Sequence, residues 1–338
     1  MQIQQNCSLR QYNTLGIDAR AQYFAAFSSV EELEALLQRS GARGVRRLVI
    51  GGGSNILFSG PFNGWVLKNE VRGLDLIRED VNHLYLKAGA GENWHSLVQY
   101  CIERNWAGVE NLSLIPGCVG ASPMQNIGAY GVEMKEVFDE LEAYDTVDKK
   151  VHTFSPNDCE FGYRESVFKR KYRDRFIILT VTYRLNKKPH YNISYGAIDQ
   201  ELARMGVQEL SIRAISQAVI NIRRSKLPDP AVIGNAGSFF KNPSVPQNIY
   251  TALKTKHPGV IGYNNPDGTV KLAAGWLIEQ CGWKGFRRGD AGCHEKQALV
   301  LVNFGNASGG EIYQLSEEIL QSVKKKFGVE LEREVNVV

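Results

Sequence analysis

The chain has 338 residues, 43% of them hydrophobic and 22% charged, with a net charge of +4. That length supports a large core and two or three structural units, and the charge balance is too small to mark a nucleic-acid binder. No apolar run reaches the roughly 18 residues of a membrane span, and "MQIQQNCSLRQYNTLGID" lacks the basic-then-apolar pattern of a secretory signal, so a cytoplasmic enzyme or binding protein is expected.

In chain order, "SVEELEALLQRS" reads as a helix: Ser29 and Glu32 form a capping-box pair, and Val30, Leu33, Leu36 and Leu37 share one face. "RRLVIGGGSN" reads as a short buried strand entering a glycine turn, and "HLYLKAGAGE" as a second strand. "NWHSLVQYCIERN" places Trp94, Leu97, Val98, Cys101 and Ile102 at helical spacing. "LSLIPGCVGASPMQNIGAYG" has little helical character, and further strands are expected at 141–146 and 176–185. "RRSKLPDPAVIGNAG", with two prolines and two glycines, reads as a crossing between units. Beyond it, "NIYTALKTKH", "LAAGWLIEQCG" and "GEIYQLSEEILQSVKKKFG" are helix candidates, "QALVLVNF" a strand, and "VELEREVNVV" a terminal strand returning to the body. Strands joined by glycine-rich bends, without regular strand–helix alternation, indicate an α+β protein.

Six cysteines (Cys7, Cys101, Cys118, Cys159, Cys281, Cys293) are scattered without a C-x-x-C pair, and six histidines lack H-x-x-x-H spacing. Reduced thiols and no metal are expected. The basic clusters "KRKYRDR" (169–175) and "KKK" (324–326) read as solvated surface, the second closing a helix where cations suit the dipole.

Two glycine-rich stretches carry the chemistry. "IGGGSN" follows a strand, but Ile56 stands where a Rossmann fingerprint needs its third glycine, and no P-loop pattern occurs. The turn is either structural or a nest of backbone N–H groups able to cup phosphate oxygens. "IPGCVGASPMQNIGAYG" offers backbone donors and the amides Gln125 and Asn126 along an extended path. Two such loops suit a long polyphosphate cofactor better than a small substrate. In "GNAGSFFKNP" (234–243), Ser238 lies among Gly234, Ala236 and Gly237, as either a presented hydroxyl or a turn residue. No G-x-S-x-G elbow makes it a nucleophile.

"YNTLGID" (12–18), "GGGSN" (51–55), "IPGCVGASPMQNIGAYG" (115–131), "FGYRESVFK" (161–169), "KLPDP" (226–230), "GNAGSFFKNP" and "KLAAGWLIEQCG" (271–282) together resemble the UDP-N-acetylenolpyruvoylglucosamine reductase (MurB) family, in order, from about residue 12 to about residue 335. The resemblance implies an FAD-binding module of the vanillyl-alcohol-oxidase/PCMH type, made of two α+β subdomains (1–70 and 71–222), with a substrate-binding α+β domain (223–327) and a final strand (328–338) returning to the first subdomain. It implies non-covalent FAD, NADPH as co-substrate and hydride delivery to C3 of an enolpyruvyl ether, with a proton to C2.

By resemblance, Gly51, Gly53, Ser54 and Asn55 sit near the FAD pyrophosphate, while Ile115, Pro116, Gly117, Gln125, Asn126, Ala129, Tyr130 and Arg223 line the rest of the flavin. Ser238 matches the proton donor, and Arg164 and Glu334 match the residues that stabilise the intermediate. Tyr163, Lys226, Asn242 and Gln297 match contacts to the sugar nucleotide. Tyr195, on a segment at about 188–200, matches a mobile tyrosine that closes over the diphosphate and places the chain in the tyrosine-loop subclass. The resemblance implies small-molecule partners (a UDP-sugar and NADPH), a monomer, and neither membrane insertion nor nucleic acid. The rivals are another flavoprotein of the same cofactor fold, for which Cys118 offers a covalent link, and a non-catalytic nucleotide-sugar binder.

Overall fold

In a computed structural model, residues 2–41, 45–195 and 197–338 are described. The chain forms two compact units: Met1–Cys7, Ala21–Gly52 and Asn63–Ser225 make one, and Ser8–Arg20, Gly53–Phe62 and Lys226–Val338 make the other. Among the described residues no helix is long and apolar enough to cross a membrane.

The first unit contains an antiparallel five-stranded sheet in the order Lys150–Phe154, Phe138–Asp145, Phe176–Asn186, His83–Gly89, Leu74–Glu79. Leu141, Ala143, Val181, Tyr183, Leu86 and Ala88 alternate onto one buried face, as a sheet with a covered side requires. Onto it packs the helix Trp94–Glu103, whose Trp94, Leu97, Val98, Cys101 and Ile102 are all buried. Asn93 caps that helix by accepting from Ser96 N–H. A four-stranded sheet runs Ile3–Ser8, Arg20–Phe27, Phe62–Asn69, Arg46–Ile50. Its Arg46–Ile50 strand pairs parallel with Phe62–Asn69; the short buried strand expected there forms, but only Ile50 is buried, Leu48 and Val49 are half-buried, and Arg46 and Arg47 face solvent at the sheet edge.

The helix Val30–Arg39 forms as its pattern predicts, with Ser29 accepting from Glu32 N–H. The return bond goes from Ser28 N–H to the Glu32 carboxylate at 2.7 Å, one residue earlier than a capping box would place it. A long helix, Ile212–Lys226, was not expected from the sequence; it buries Ile212, Ile215, Val219 and Ile222 at helical spacing. It ends where the chain passes from one unit to the other, within the proline-glycine segment expected to mark a crossing.

The second unit has an antiparallel sheet in the order Gly234–Ser238, Val300–Asn303, Ala291–Cys293, Arg287–Arg288. The helix Gly309–Phe327 carries a full capping box at Ser308/Glu311, buries Ile312, Leu315, Ile319 and Val323, and stops at left-handed Gly328. Its terminal Lys324–Lys326 cluster lies in the last turn, with Lys324 paired to Glu330 at 2.8 Å. The final strand, Asn336–Val337, pairs parallel with Ile56–Leu57, and Val338 N–H donates to the Leu57 carbonyl at 2.9 Å. A small sheet of Ser244–Pro246, Thr269–Leu272 and Gly262–Asn264 completes the unit.

Candidate functional site

In the first unit the two glycine-rich loops pack against each other, Gly52 on the Gly117 backbone and Gly51 on the Cys118 side chain. A Cβ on Gly51 would stand 3.0 Å from Cys118 Cβ, and one on Gly52 would stand 3.0 Å from Gly117 Cα. Contacts that close are tighter than most side chains make, so a side chain at either glycine would push its neighbour in the other loop back by a few tenths of an ångström. The second loop is tied down at both ends of its "LIPG" corner. Leu114, left-handed at φ 59°, donates its N–H to His95 Nδ1 at 3.0 Å and accepts from Arg223 Nε at 3.2 Å. Burial, with Arg224 and Arg223 adding, pushes His95 below its usual value, so the neutral ring can accept. Ile115 packs on the core, and Gly117, whose carbonyl accepts from Trp94 N–H at 3.0 Å, continues the path. Pro116 and Gln125 lie within the same loop.

The loop's far end is a hairpin in which Gly128–Ala129 pairs with Val132–Glu133. Its two turn residues, Tyr130 and Gly131, have φ of 50° and 80°, the all-positive pattern of a tight hairpin turn. Burial pushes the Tyr130 phenol up, and enclosure pushes the Arg223 guanidinium down; Arg223 and Tyr195 both act electrostatically on Tyr130. Tyr195 is about half exposed, and its Cβ would stand 2.9 Å from a Cβ on Gly131. Gly196, within the expected tyrosine segment, lies outside the described residues.

A second tight turn faces this hairpin. Gly162 and Glu165 exchange both backbone hydrogen bonds, at 3.0 and 3.3 Å, leaving Tyr163 and Arg164 at the tip. Arg164 is left-handed at φ 55° and donates to the Gly128 carbonyl at 2.7 Å. That conformation costs a non-glycine residue on the order of 1–2 kcal/mol, a strain that concentrates at working sites. Asn126 is fully buried and joins the two turns: Nδ2 donates to Glu133 Oε2 (3.0 Å) and the Gly162 carbonyl (3.1 Å), and Oδ1 accepts from Lys135 N–H (3.0 Å). Its side chain thus helps hold the loop's shape. Sequence reading assigned Asn126 to the cofactor and missed this bridging.

In the second unit, Gly53 is left-handed at φ 60°, and a Cβ there would lie 2.0 Å from the Tyr12 carbonyl oxygen. The Gly53 carbonyl accepts from Thr14 N–H at 3.1 Å. "YNTLGID" is shaped by Asn13, buried, which donates to the Leu9 and Ile17 carbonyls and accepts from Ile17 N–H. Ser54 follows Gly53, and Asn55 donates from Nδ2 to the Glu334 carbonyl at 3.3 Å.

Ser238 ends the strand Gly234–Ser238 opposite Val300, and its hydroxyl makes no hydrogen bond among the described residues. The following Phe239 donates to the Leu299 carbonyl at 2.7 Å and accepts from Glu334 N–H at 2.9 Å. Ser238 and Glu334 are therefore brought onto neighbouring segments. Arg333, between Glu332 and Glu334, turns the other way: Nε donates to Ser316 Oγ at 2.8 Å and the guanidinium pairs with Glu317. That clamp ties the segment next to Glu334 to the long helix.

Asn242 and Gln297 meet at the start of the helix Ala274–Gln280: Asn242 Oδ1 accepts from Ala274 N–H at 2.9 Å, and Gln297 Oε1 stands 3.0 Å from a Cβ on Gly275. Lys226 is exposed at the end of Ile212–Lys226. Sequence reading overlooked Asn13, Thr14 and Asn235; an asparagine two residues before a glycine, as in "NAG", is the signal that flags the last.

A cavity of about 380 Å³ lined by Asp145, His152, Tyr172 and Arg175 shares none of these residues. There Asp145, Asp148 and His152 bring possible metal-ligand atoms within 4.8 Å, but Arg175 already supplies the cation, at 2.6 Å from Asp145 and 3.2 Å from Asp148.

A model of the FAD binding domain matches residues 21–155, and one of the UDP-N-acetylenolpyruvoylglucosamine reductase C-terminal domain matches residues 229–338. The chain is 51% identical over 338 residues to the UDP-N-acetylenolpyruvoylglucosamine reductase of Amoebophilus asiaticus, covering 100% of both. It is 50% identical to that of Pseudomonas savastanoi pv. phaseolicola, covering 100% of this chain and 99% of the relative. The solved MurB structure from Thermus caldophilus aligns at TM-score 0.69 and 24% identity, over 100% of this chain and 99% of that one, and agrees in fold. The α+β fold thus joins an FAD binding domain to a C-terminal reductase domain, and the chain, an oxidoreductase, belongs to the UDP-N-acetylenolpyruvoylglucosamine reductase family.

Proposed function

We propose that this chain uses NADPH and non-covalent FAD to reduce UDP-N-acetylglucosamine enolpyruvate to UDP-N-acetylmuramate, a step of peptidoglycan precursor synthesis. The residues fit the cofactor. Gly51 and Gly52 present a turn without side chains beside Gly117, which suits a pyrophosphate, and Arg223, held on the Leu114 carbonyl, adds a cation. Burial pushes the Cys118 thiol up, which keeps it protonated and supports non-covalent binding over a thioether link. When bound, FAD supplies a two-electron relay, accepting hydride from NADPH and passing it to C3 of the enolpyruvyl group.

The protein supplies the proton and the charge relief. Ser238 gives its hydroxyl proton to C2 as C3 becomes saturated, and solvent restores it. Arg164 opposes charge growing on the substrate carboxylate with a planar fork already fixed by its turn. Glu334 joins it in stabilising that charge. Gly53, Ser54 and Asn55 continue the pyrophosphate contact, with Ile115, Pro116, Gln125, Ala129 and Tyr130 along the flavin. Tyr163, Lys226, Asn242 and Gln297 hold the sugar nucleotide, and Tyr195 closes over its diphosphate. We assign 1–70 and 71–222 to the cofactor and 223–327 to the substrate, a division by ligand and not by compactness, in a cytoplasmic monomer.

The observation that carries the reading is the backbone bond from Glu334 N–H to the Phe239 carbonyl at 2.9 Å, which puts the segment bearing Glu334 next to the strand that ends in Ser238. The test is an absorption spectrum of purified protein, then anaerobic NADPH, then the enolpyruvyl sugar nucleotide. Bleaching by NADPH and recovery on adding the sugar nucleotide are expected. Colour that stays on the denatured polypeptide, or bleaching that the sugar nucleotide does not reverse, contradicts the reading.

A further inference from the structure

We infer that Asn235 is a positioning residue for Ser238, holding the bulge that turns the serine to its working face. The register shows why a bulge matters. Asn235 lies opposite Val302 and Ser238 opposite Val300, so three steps on one strand match two on the other. One extra residue sits in the Gly234–Ser238 strand. Side chains alternate with a period of two, so residues three apart would otherwise face opposite ways; the insertion puts Ser238 on the face of Asn235. A regular strand would turn the hydroxyl away and shift every following side chain.

Asn235 commits its whole side chain to this shape. It is buried, at 3% exposure, with Oδ1 accepting from Gly237 N–H at 3.0 Å and so closing a two-residue turn across the bulge. Gly237 takes φ 69°, the left-handed geometry the turn needs. Nδ2 donates to the Ile233 carbonyl at 2.9 Å and to the Pro228 carbonyl at 3.1 Å, the latter in the "KLPDP" segment that begins with Lys226. Its backbone is pinned too: Asn235 N–H donates to the Thr14 carbonyl at 2.9 Å, and its carbonyl accepts from Thr14 Oγ1 at 2.6 Å. Asn235 thus joins the serine's bulge to the segment carrying the proposed diphosphate lysine.

The inference rests on Ser238 being the proton donor, and the test separates the two. Stopped-flow on FAD-loaded Asn235→Ala should show flavin reduction by NADPH within about 2-fold of wild type and reoxidation by the enolpyruvyl sugar nucleotide slowed about 10- to 100-fold, the scale of a misplaced catalytic group. Asn235→Ser, whose hydroxyl can still accept from Gly237, should recover part of that loss. The Asn235→Ala/Ser238→Ala double variant should be no slower than Ser238→Ala alone. Amide exchange in the cofactor-free protein should quicken at Gly237 in Asn235→Ala. Reoxidation at the wild-type rate in Asn235→Ala, equal loss in both half-reactions, or unchanged exchange at Gly237 overturns the inference. Undiminished reoxidation in Ser238→Ala instead overturns the functional reading, and the exchange result alone then decides whether Asn235 holds the bulge.

Discussion

Asn55 and Glu334, 279 positions apart, are joined by a hydrogen bond from Asn55 Nδ2 to the Glu334 carbonyl at 3.3 Å. Asn336 returns the contact, donating to the Asn55 carbonyl from its backbone N–H at 3.1 Å and from Nδ2 at 3.0 Å. The end of the chain therefore shapes the "GGGSN" turn. Asn336→Ala, which changes none of the proposed flavin contacts, removes one such bond, worth about 0.5–1.5 kcal/mol. FAD titration of the cofactor-free protein should show binding weakened about 2- to 10-fold; unchanged affinity would mean the turn keeps its shape unaided.

Two glycines should respond differently to alanine. Gly53→Ala places a Cβ 2.0 Å from the Tyr12 carbonyl oxygen in a left-handed residue, so the backbone must move. A loss above about 3 kcal/mol, or failure to fold, is expected in chemical denaturation. Gly237→Ala meets no atom within 4 Å and bears only the cost of its φ, about 1–2 kcal/mol. Equal losses would contradict the close approach at Gly53.

Much of the scaffold was legible because its signals are local. Ser29 and the leucines after it announce a helix, as do Trp94 to Ile102, since cap and period lie within one short window. The helix Ile212–Lys226 was missed because its buried positions are largely β-branched; its cap, Ser211, which accepts from Ala214 N–H at 3.1 Å, is a lone serine with no Glu or Gln three residues on. The strands Ser244–Pro246, Gly262–Asn264 and Thr269–Leu272 are short and partly exposed, and only their pairing defines them. At the site, the glycine loops and Ser238 stood out as motifs. The left-handed turn under Arg164, the bridge from Asn126 to Gly162 and the bond from Asn235 to Pro228 depend on partners that no spacing rule supplies.

The buried Asp145 gives the first unit an acid-sensitive point. Its hydrogen bonds to Arg175 hold the carboxyl well below the usual range. A depressed folded-state pKa means the stabilisation is complete above the unfolded value of about 4 and is lost as pH falls from there. Arg175→Met would leave the buried carboxylate with only its two backbone donors, at a cost of about 1–3 kcal/mol at neutral pH. Melting temperatures of wild type and variant should converge as pH is lowered from 7 towards 4, because the orphaned carboxyl can protonate. A constant gap would show that the pair is not what stabilises this corner.

Arg164→Lys keeps a positive charge but loses the planar fork that two carboxylate oxygens match. Reoxidation by the sugar nucleotide is expected to slow about 10- to 100-fold, with FAD content and flavin reduction by NADPH unchanged. A variant equally impaired with NADPH would make Arg164 a structural residue of its turn.

The most direct measurement is single-turnover absorbance of FAD-loaded Ser238→Ala, mixed first with NADPH and then with the enolpyruvyl sugar nucleotide. Reduction should proceed near the wild-type rate, and reoxidation should slow by about 100- to 10,000-fold, the contribution of a positioned general acid. Reoxidation at the wild-type rate would contradict the assignment of that hydroxyl as the proton source.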